Sequence, residues 1–166
     1  LMSYSGEMAI HNIRPATVCG VSSRMRFDVS VNMFAKQGYL DGRITVFGGD
    51  QIRPNIHIQD LADVYGHFLV HPELASGAYN AGFENISILN IAEMVRDRTG
   101  AEIVVTPSND PRSYRQNSDK LLATGFRPRR CVADAIDEGI AALSDGSLDD
   151  RDEGYTVRWM TRSVLP

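Results

Sequence analysis

Ile44-Thr45-Val46-Phe47-Gly48-Gly49-Asp50-Gln51-Ile52-Arg53-Pro54-Asn55-Ile56-His57-Ile58-Gln59-Asp60-Leu61-Ala62-Asp63-Val64-Tyr65 is the stretch whose reading decides the fold. Ile44 to Phe47 is a β-branched and aromatic run, which predicts a strand. Gly48-Gly49-Asp50 predicts a turn. Arg53-Pro54 follows, and then a second apolar alternation from Asn55 to Ile58. A helix is expected to open near Asp60, with Leu61, Val64, Tyr65, Phe68 and Leu69 at helical spacing. Arg53, between a glycine-rich turn and a strand, places a planar fork of donors where it could meet a phosphate or pair with Asp50 or Asp60.

Working outward, Met8 to Ile13 reads as a strand that Arg14-Pro15 ends, because proline cannot continue the ladder. Thr17 to Arg26 reads as a loop. Phe27 to Gln37 predicts a helix with Val31, Phe34 and Ala35 inward, stopped by Gly38 to Gly42. Pro72 bounds the helix that follows the central stretch. Ala78 to Asn80 reads as a short strand. Ser87 caps an amphipathic helix over Ile88 to Arg98, with Ile88, Ile91, Ala92 and Val95 on one face and Gly100 as its stop. Ile103 to Val105 is a further strand, Asp110 to Ser118 is polar and extended, and Asp119 to Thr124 is a short helix. Val132, Ile136, Ile140 and Leu143 mark a last core helix. The tail from Ser144 to Arg151 is polar and acidic and reads as loose, while Tyr155 to Met160 offers a docking segment. The sum is an α/β fold.

The totals bound the function. A chain of 166 residues can bury one core or form one lobe of a larger enzyme. A net charge of −4 argues against general nucleic-acid affinity. No apolar run approaches a membrane span, and the opening residues do not read as a signal peptide. Cys19 and Cys131 have no metal or redox spacing, so a reduced, cytoplasmic setting is expected. His67 and His71 lie four apart on one helix, but no third ligand completes a metal site. Cys19 reads as a small buried hydrophobe. Arg24 and Arg26 read as a solvated face, with a loop that closes over a ligand as the alternative.

Four stretches in order, Ile13 to Gly20, Ile44 to Tyr65, Gly77 to Gly82 and Asp110 to Arg115, resemble the substrate lobe of NAD-dependent nucleotide-sugar epimerases and dehydratases, the extended short-chain dehydrogenase group. The resemblance implies a substrate-binding lobe together with the last strand or strands of a Rossmann-like sheet, the N-terminal dinucleotide-binding half being absent. It divides the chain into residues 1–20 as the end of the Rossmann-like part, 21–143 as the substrate lobe and 144–166 as a tail. The first residue, Leu1, fits an expectation that a further part precedes it.

By the same resemblance, Arg53 grips a diphosphate, Phe47 meets the base, and Arg112, Tyr114 and Arg115 reach phosphate and ribose. Thr17 stands where relatives place a sugar-contacting asparagine, and Pro15 and Ala16 face the nicotinamide through backbone atoms. No catalytic residue is expected on this chain: the glycine-rich fingerprint is missing, and Tyr4 has Met8 where the family's tyrosine has lysine. The implied cofactor is NAD in the complete enzyme, and this chain alone is not expected to bind it. The implied partners are a nucleoside-diphosphate sugar, the N-terminal half and a second copy in a homo-oligomer. A non-catalytic nucleotide-sugar-binding or protein-interaction module of the same descent is the alternative.

Overall fold

A computed structural model describes residues 2–163. Strand β1 is His11–Pro15, β2 Thr17–Cys19, helix α1 Ser30–Lys36, β3 Arg43–Phe47, β4 Ile52–His57 and α2 Ile58–Val70. Then come β5 Gly77–Ala81, β6 Glu84–Ser87, α3 Ile88–Thr99, β7 Glu102–Thr106, α4 Asp119–Leu122, α5 Val132–Ser144 and α6 Thr156–Ser163. Among the described residues the fold is α/β, with three small sheets. β1 pairs parallel with β5, and β3 parallel with β7. β4 is flanked by β2, parallel, and by β6, antiparallel.

The central stretch folds largely as its pattern dictates. Ile44 and Val46 point inward and are fully buried, while Phe47 is 61% exposed. Gly48 and Gly49 adopt φ of +80° and +130°, which side chains with a Cβ avoid, and so the chain reverses there. β4 begins three residues before the expected alternation, at Ile52, because β6 supplies it with an antiparallel partner. Pro54 is tolerated inside it: β2 pairs only with Asn55 to His57, so the missing N–H leaves no gap in that ladder.

Helix α2 starts at Ile58, two residues before Asp60, because His57 caps it, its Nδ1 accepting from the Gln59 N–H at 3.1 Å. Asp60 is instead 1% exposed and accepts the backbone N–H groups of Arg129 at 2.9 Å and Arg130 at 3.1 Å. It fixes the turn that leads into α5. Asp60→Ala therefore leaves two donors unpaired and should destabilise the fold by about 1.5 kcal/mol, with Asp60→Asn losing less. Urea melts check this, and unchanged midpoints would refute the assignment.

Three other expectations are corrected. Thr17 to Cys19 is a strand and not part of a loop, since after Ala16 the chain leaves β5 and pairs with β4. The Ser144 to Arg151 tail is tied back: Lys36 donates to Asp150 at 2.8 Å, and Gly154 accepts from the Phe27 N–H at 2.7 Å. The strand expected over Met8 to Ile13 lies later, at β1, and β6 carried no expectation at all.

The core has two parts. Val31, Phe34, Ile44, Val46, Ile91, Val95 and Ile136 join α1, β3, α3 and α5. Ile56, Val64, Phe68, Tyr79, Leu121 and Phe126 join β4, α2, β5 and α4. Ser87 and Gly100 bound α3 as expected, Ser87 Oγ accepting from Asn90 N–H at 3.1 Å and Gly100 at φ +73°.

Candidate functional site

The polar run before α4 is held as an extended strap across the strand ends. Ser113 Oγ accepts from the Ile52 N–H at 3.0 Å, and the Tyr114 N–H donates to Ile52 O at 3.2 Å. Asn85 pairs with both backbone groups of Gln116, at 2.8 and 3.1 Å. Ser118 Oγ accepts from Gly82 N–H at 3.0 Å and donates to Gly82 O at 2.7 Å. Gln116 Nε2 reaches across to Arg14 O at 2.8 Å. A run without a ladder of its own is thus fixed from four sides, and Tyr114 and Arg115 are left exposed.

Between this strap and the β1–β2 junction lies a cleft of about 360 Å³ lined by Pro15, Ala16, Thr17, Pro54, Tyr114, Arg115 and Gln116. Five residues singled out from the sequence meet there: Pro15, Ala16, Thr17, Tyr114 and Arg115. Arg53 stands behind the cleft, its guanidinium 5.5 Å from the centre of the Tyr114 ring. Its Nη1 donates to Ile52 O and Arg112 O, and its Nη2 lies 3.1 Å from Asp110. The carboxylate partner is therefore Asp110, not Asp50 or Asp60, because the strap brings Asp110 alongside β4. Arg112 forks onto the same carboxylate at 2.7 and 2.7 Å. Hydrogen bonds from Arg112, with the charges of Arg112 and Arg53, hold the Asp110 carboxyl well below the usual carboxylate range. Phe47 ends β3 in the separate β3–β7 sheet and does not line this cleft.

A second cleft of about 550 Å³ shares Pro15, Ala16 and Thr17 and continues past Ser22, Arg24, Arg26 and Asn32 to Ile58 and Leu61. Its loop is held by Asn32, only 4% exposed, which accepts the Gly20 N–H at 3.1 Å and donates to Arg26 O at 3.0 Å. Gly20 has φ +102°, and a Cβ there would lie 2.9 Å from His57 Nε2, so the position admits only glycine. Cys19 is fully buried; burial, aided by the Glu84 charge, pushes its thiol up to about 12, which leaves it inert at neutral pH. It behaves as the small hydrophobe its context indicated.

His67 contacts Thr124 at 2.9 Å and His71 contacts Glu73 at 3.0 Å. Among the described residues no group of three His, Cys, Asp or Glu side chains is placed to hold a metal ion, and no helix is long and apolar enough to cross a membrane. Gln116 and Asn85 were missed as site residues by sequence reasoning, and Gly82 was read only as the end of a motif. Their signal is a pairing between positions 31 and 36 residues apart, which no local pattern carries.

The α/β fold is similar to about half the length of solved nucleotide-sugar epimerases. No family model matches the chain. UDP-N-acetylglucosamine 4-epimerase from Bacillus cereus shares the fold with a TM-score of 0.70 and 21% identity, over 86% of this chain and 52% of that one. ADP-L-glycero-D-manno-heptose-6-epimerase from Helicobacter pylori gives 0.73 and 16%, over 86% and 47%. UDP-glucuronic acid 4-epimerase from Bacillus cereus, solved in complex with UDP-glucuronic acid and NAD, gives 0.68 and 24%, over 80% and 44%. The chain spans about half the length of these enzymes.

Proposed function

We propose that this chain is the nucleotide-sugar-binding portion of an NAD-dependent sugar epimerase or dehydratase, a family that works by transient oxidation of a sugar hydroxyl. The observation that carries the reading is the meeting of Pro15, Ala16 and Thr17 with Tyr114 and Arg115 around one cleft. In this reading Arg53, Arg112 and Arg115 supply positive charge to the diphosphate, Tyr114 packs beside the ribose and Thr17 meets the sugar. Phe47, exposed at the end of β3, serves the base once the ligand extends beyond the cleft. Fixing the sugar relative to a reacting group can contribute on the order of 7–11 kcal/mol to lowering a barrier, which is the use of a lobe that performs no chemistry itself.

In this reading the chain does not hold NAD by itself. The Gly48-Gly49 turn feeds β4, whereas a pyrophosphate site needs a glycine-rich turn feeding a helix N-terminus. NAD would therefore be held by a dinucleotide-binding half, with only the Pro15–Ala16 backbone of this chain turned towards it. The reading keeps residues 1–20 with that half, 21–143 as the substrate lobe and 144–166 as the tail. It assigns the protein to the cytoplasm as a homo-oligomer. Exposed Tyr65, Leu69 and Val70 on α2 suit such contacts.

Calorimetric titration with UDP-, GDP-, ADP- and dTDP-sugars, and separately with NAD, is the test. One nucleotide sugar should bind saturably and NAD should give no measurable heat. Micromolar NAD affinity, or silence towards every nucleotide sugar, would overturn the reading; silence alone would favour an interaction module.

A further inference from the structure

Arg115 and Gln116 also border a third cleft, of about 600 Å³, which Pro15, Ala16 and Thr17 do not line. It lies between the strap, the β5–β6 turn and the segment after α4. One wall is apolar: Phe83, stacked on Phe126 with ring centres 5.7 Å apart, together with Leu122 and Pro128. The amides on the other side are engaged with one another and with the backbone. Asn85 pairs with Gln116, and Gln116 Nε2 donates to Arg14 O. Asn117 Nδ2 donates to the Asp119 carboxylate at 2.7 Å, and its Oδ1 accepts from the Asp119 N–H at 2.8 Å.

Two guanidinium groups remain. Their neighbours in sequence are matched: Arg112 by Asp110 at 2.7 Å, Arg129 by Asp63 at 2.5 Å and Arg130 by Glu138 at 3.8 Å. Arg115 and Arg127, which line the third cleft, have no carboxylate partner among the described residues. Arg127 is fixed all the same. Its Nη1 donates to Leu122 O at 2.8 Å and to Phe126 O at 2.7 Å, which leaves Nε and Nη2 for a ligand. Among the described residues Asp119 is the one carboxylate that lines the cleft, and Asn117 holds it. The volume lies within the range of small-molecule sites.

We propose that the third cleft binds a phosphate monoester carried on a planar apolar body, at a site separate from the first cleft. Two unmatched positive charges suit the near-dianion that such a monoester is at neutral pH, whereas a carboxylate offsets only one. Its terminal oxygens can accept from two guanidinium forks at once. The wall of Phe83, Leu122 and Pro128 covers the apolar body. Arg115 borders both clefts, so Arg127 and Asp119 are the residues that assign the ligand to the third.

The test is calorimetric titration of the chain with phenyl phosphate, inorganic phosphate and benzoate. Phenyl phosphate should bind saturably and about tenfold more tightly than either of the others, since inorganic phosphate lacks the ring and benzoate carries one charge. Arg127→Gln should weaken it about tenfold, the scale of a lost bond to a charged group. Asp119→Asn, which removes the opposing charge, should tighten it severalfold. Arg129→Gln, at an arginine already matched by Asp63, should leave it unchanged. Thermal melts confirm that the variants fold, and Asp119→Asn decides the matter if Arg127→Gln does not. No saturable binding, or equal affinity for the three probes, overturns the inference. So does an affinity that neither Arg127→Gln nor Asp119→Asn alters, which would place the anion in the first cleft. None of these results bears on the functional reading, which the nucleotide-sugar titration tests separately.

Discussion

Arg53→Ala should weaken nucleoside-diphosphate binding by roughly 1.5–3 kcal/mol, the scale of hydrogen bonds to charged groups, or about a ten- to hundredfold loss of affinity. Two effects combine. The variant removes a positive charge beside the cleft, and it frees the strap, because Arg53 holds Arg112 O and Asp110 and backs the Tyr114 ring. Arg53→Lys should recover only part of the loss, since an ammonium keeps the charge but cannot span the Arg112 carbonyl and the Asp110 carboxylate as a planar fork does. Added salt should weaken the charge contribution and spare the positional one. Calorimetry across a salt series separates them, with melts as the control for folding. If Arg53→Ala binds as the wild type does, the arginine is only a strut between β4 and the strap.

Gly82→Ala should be the more damaging to the fold. A Cβ there would lie 2.4 Å from Gln116 Oε1 and 2.6 Å from the Ala16 Cβ, both too close to keep. Either Gln116 leaves and gives up its bond to Arg14 O, or the Ala16 ridge moves, and each outcome deforms the cleft. Overpacking of this kind costs about 3 kcal/mol. The clash with Gln116 also makes the effect non-additive: Gln116→Ala in the Gly82→Ala background should return part of the lost stability while lowering that of the wild type. Denaturant melts of the four proteins decide it. Strict additivity would mean that the two residues do not meet.

The sequence by itself determined what depends on spacing within one element. The Ile44/Val46 alternation, the Gly48-Gly49 reversal, the Ser87 cap and Gly100 stop of α3, and the inward faces of α1 and α5 follow from local sterics and periodicity. The polar run from Asp110 to Ser118 was legible as extended for the same reason, since nothing in it repeats at a helical or strand period. The residues that meet in the first cleft were legible through resemblance, as residue types in order.

Only the tertiary structure decided which groups face one another. Thr17 to Cys19 becomes a strand because Asn55 to His57 lies beside it, not because of its own composition. Asp60 turned from an expected helix opener into an acceptor for a turn 69 residues away, and Arg53 took a carboxylate 57 residues away in place of nearer ones. Phe47, adjacent in sequence to the site's turn, was carried onto another sheet. The physical reason is common to all of them. A ladder partner or an ion pair is chosen by strand register and by how helices pack on the sheets, and those are set by the whole core at once, whereas caps, turns and amphipathic faces are set by the few residues that form them.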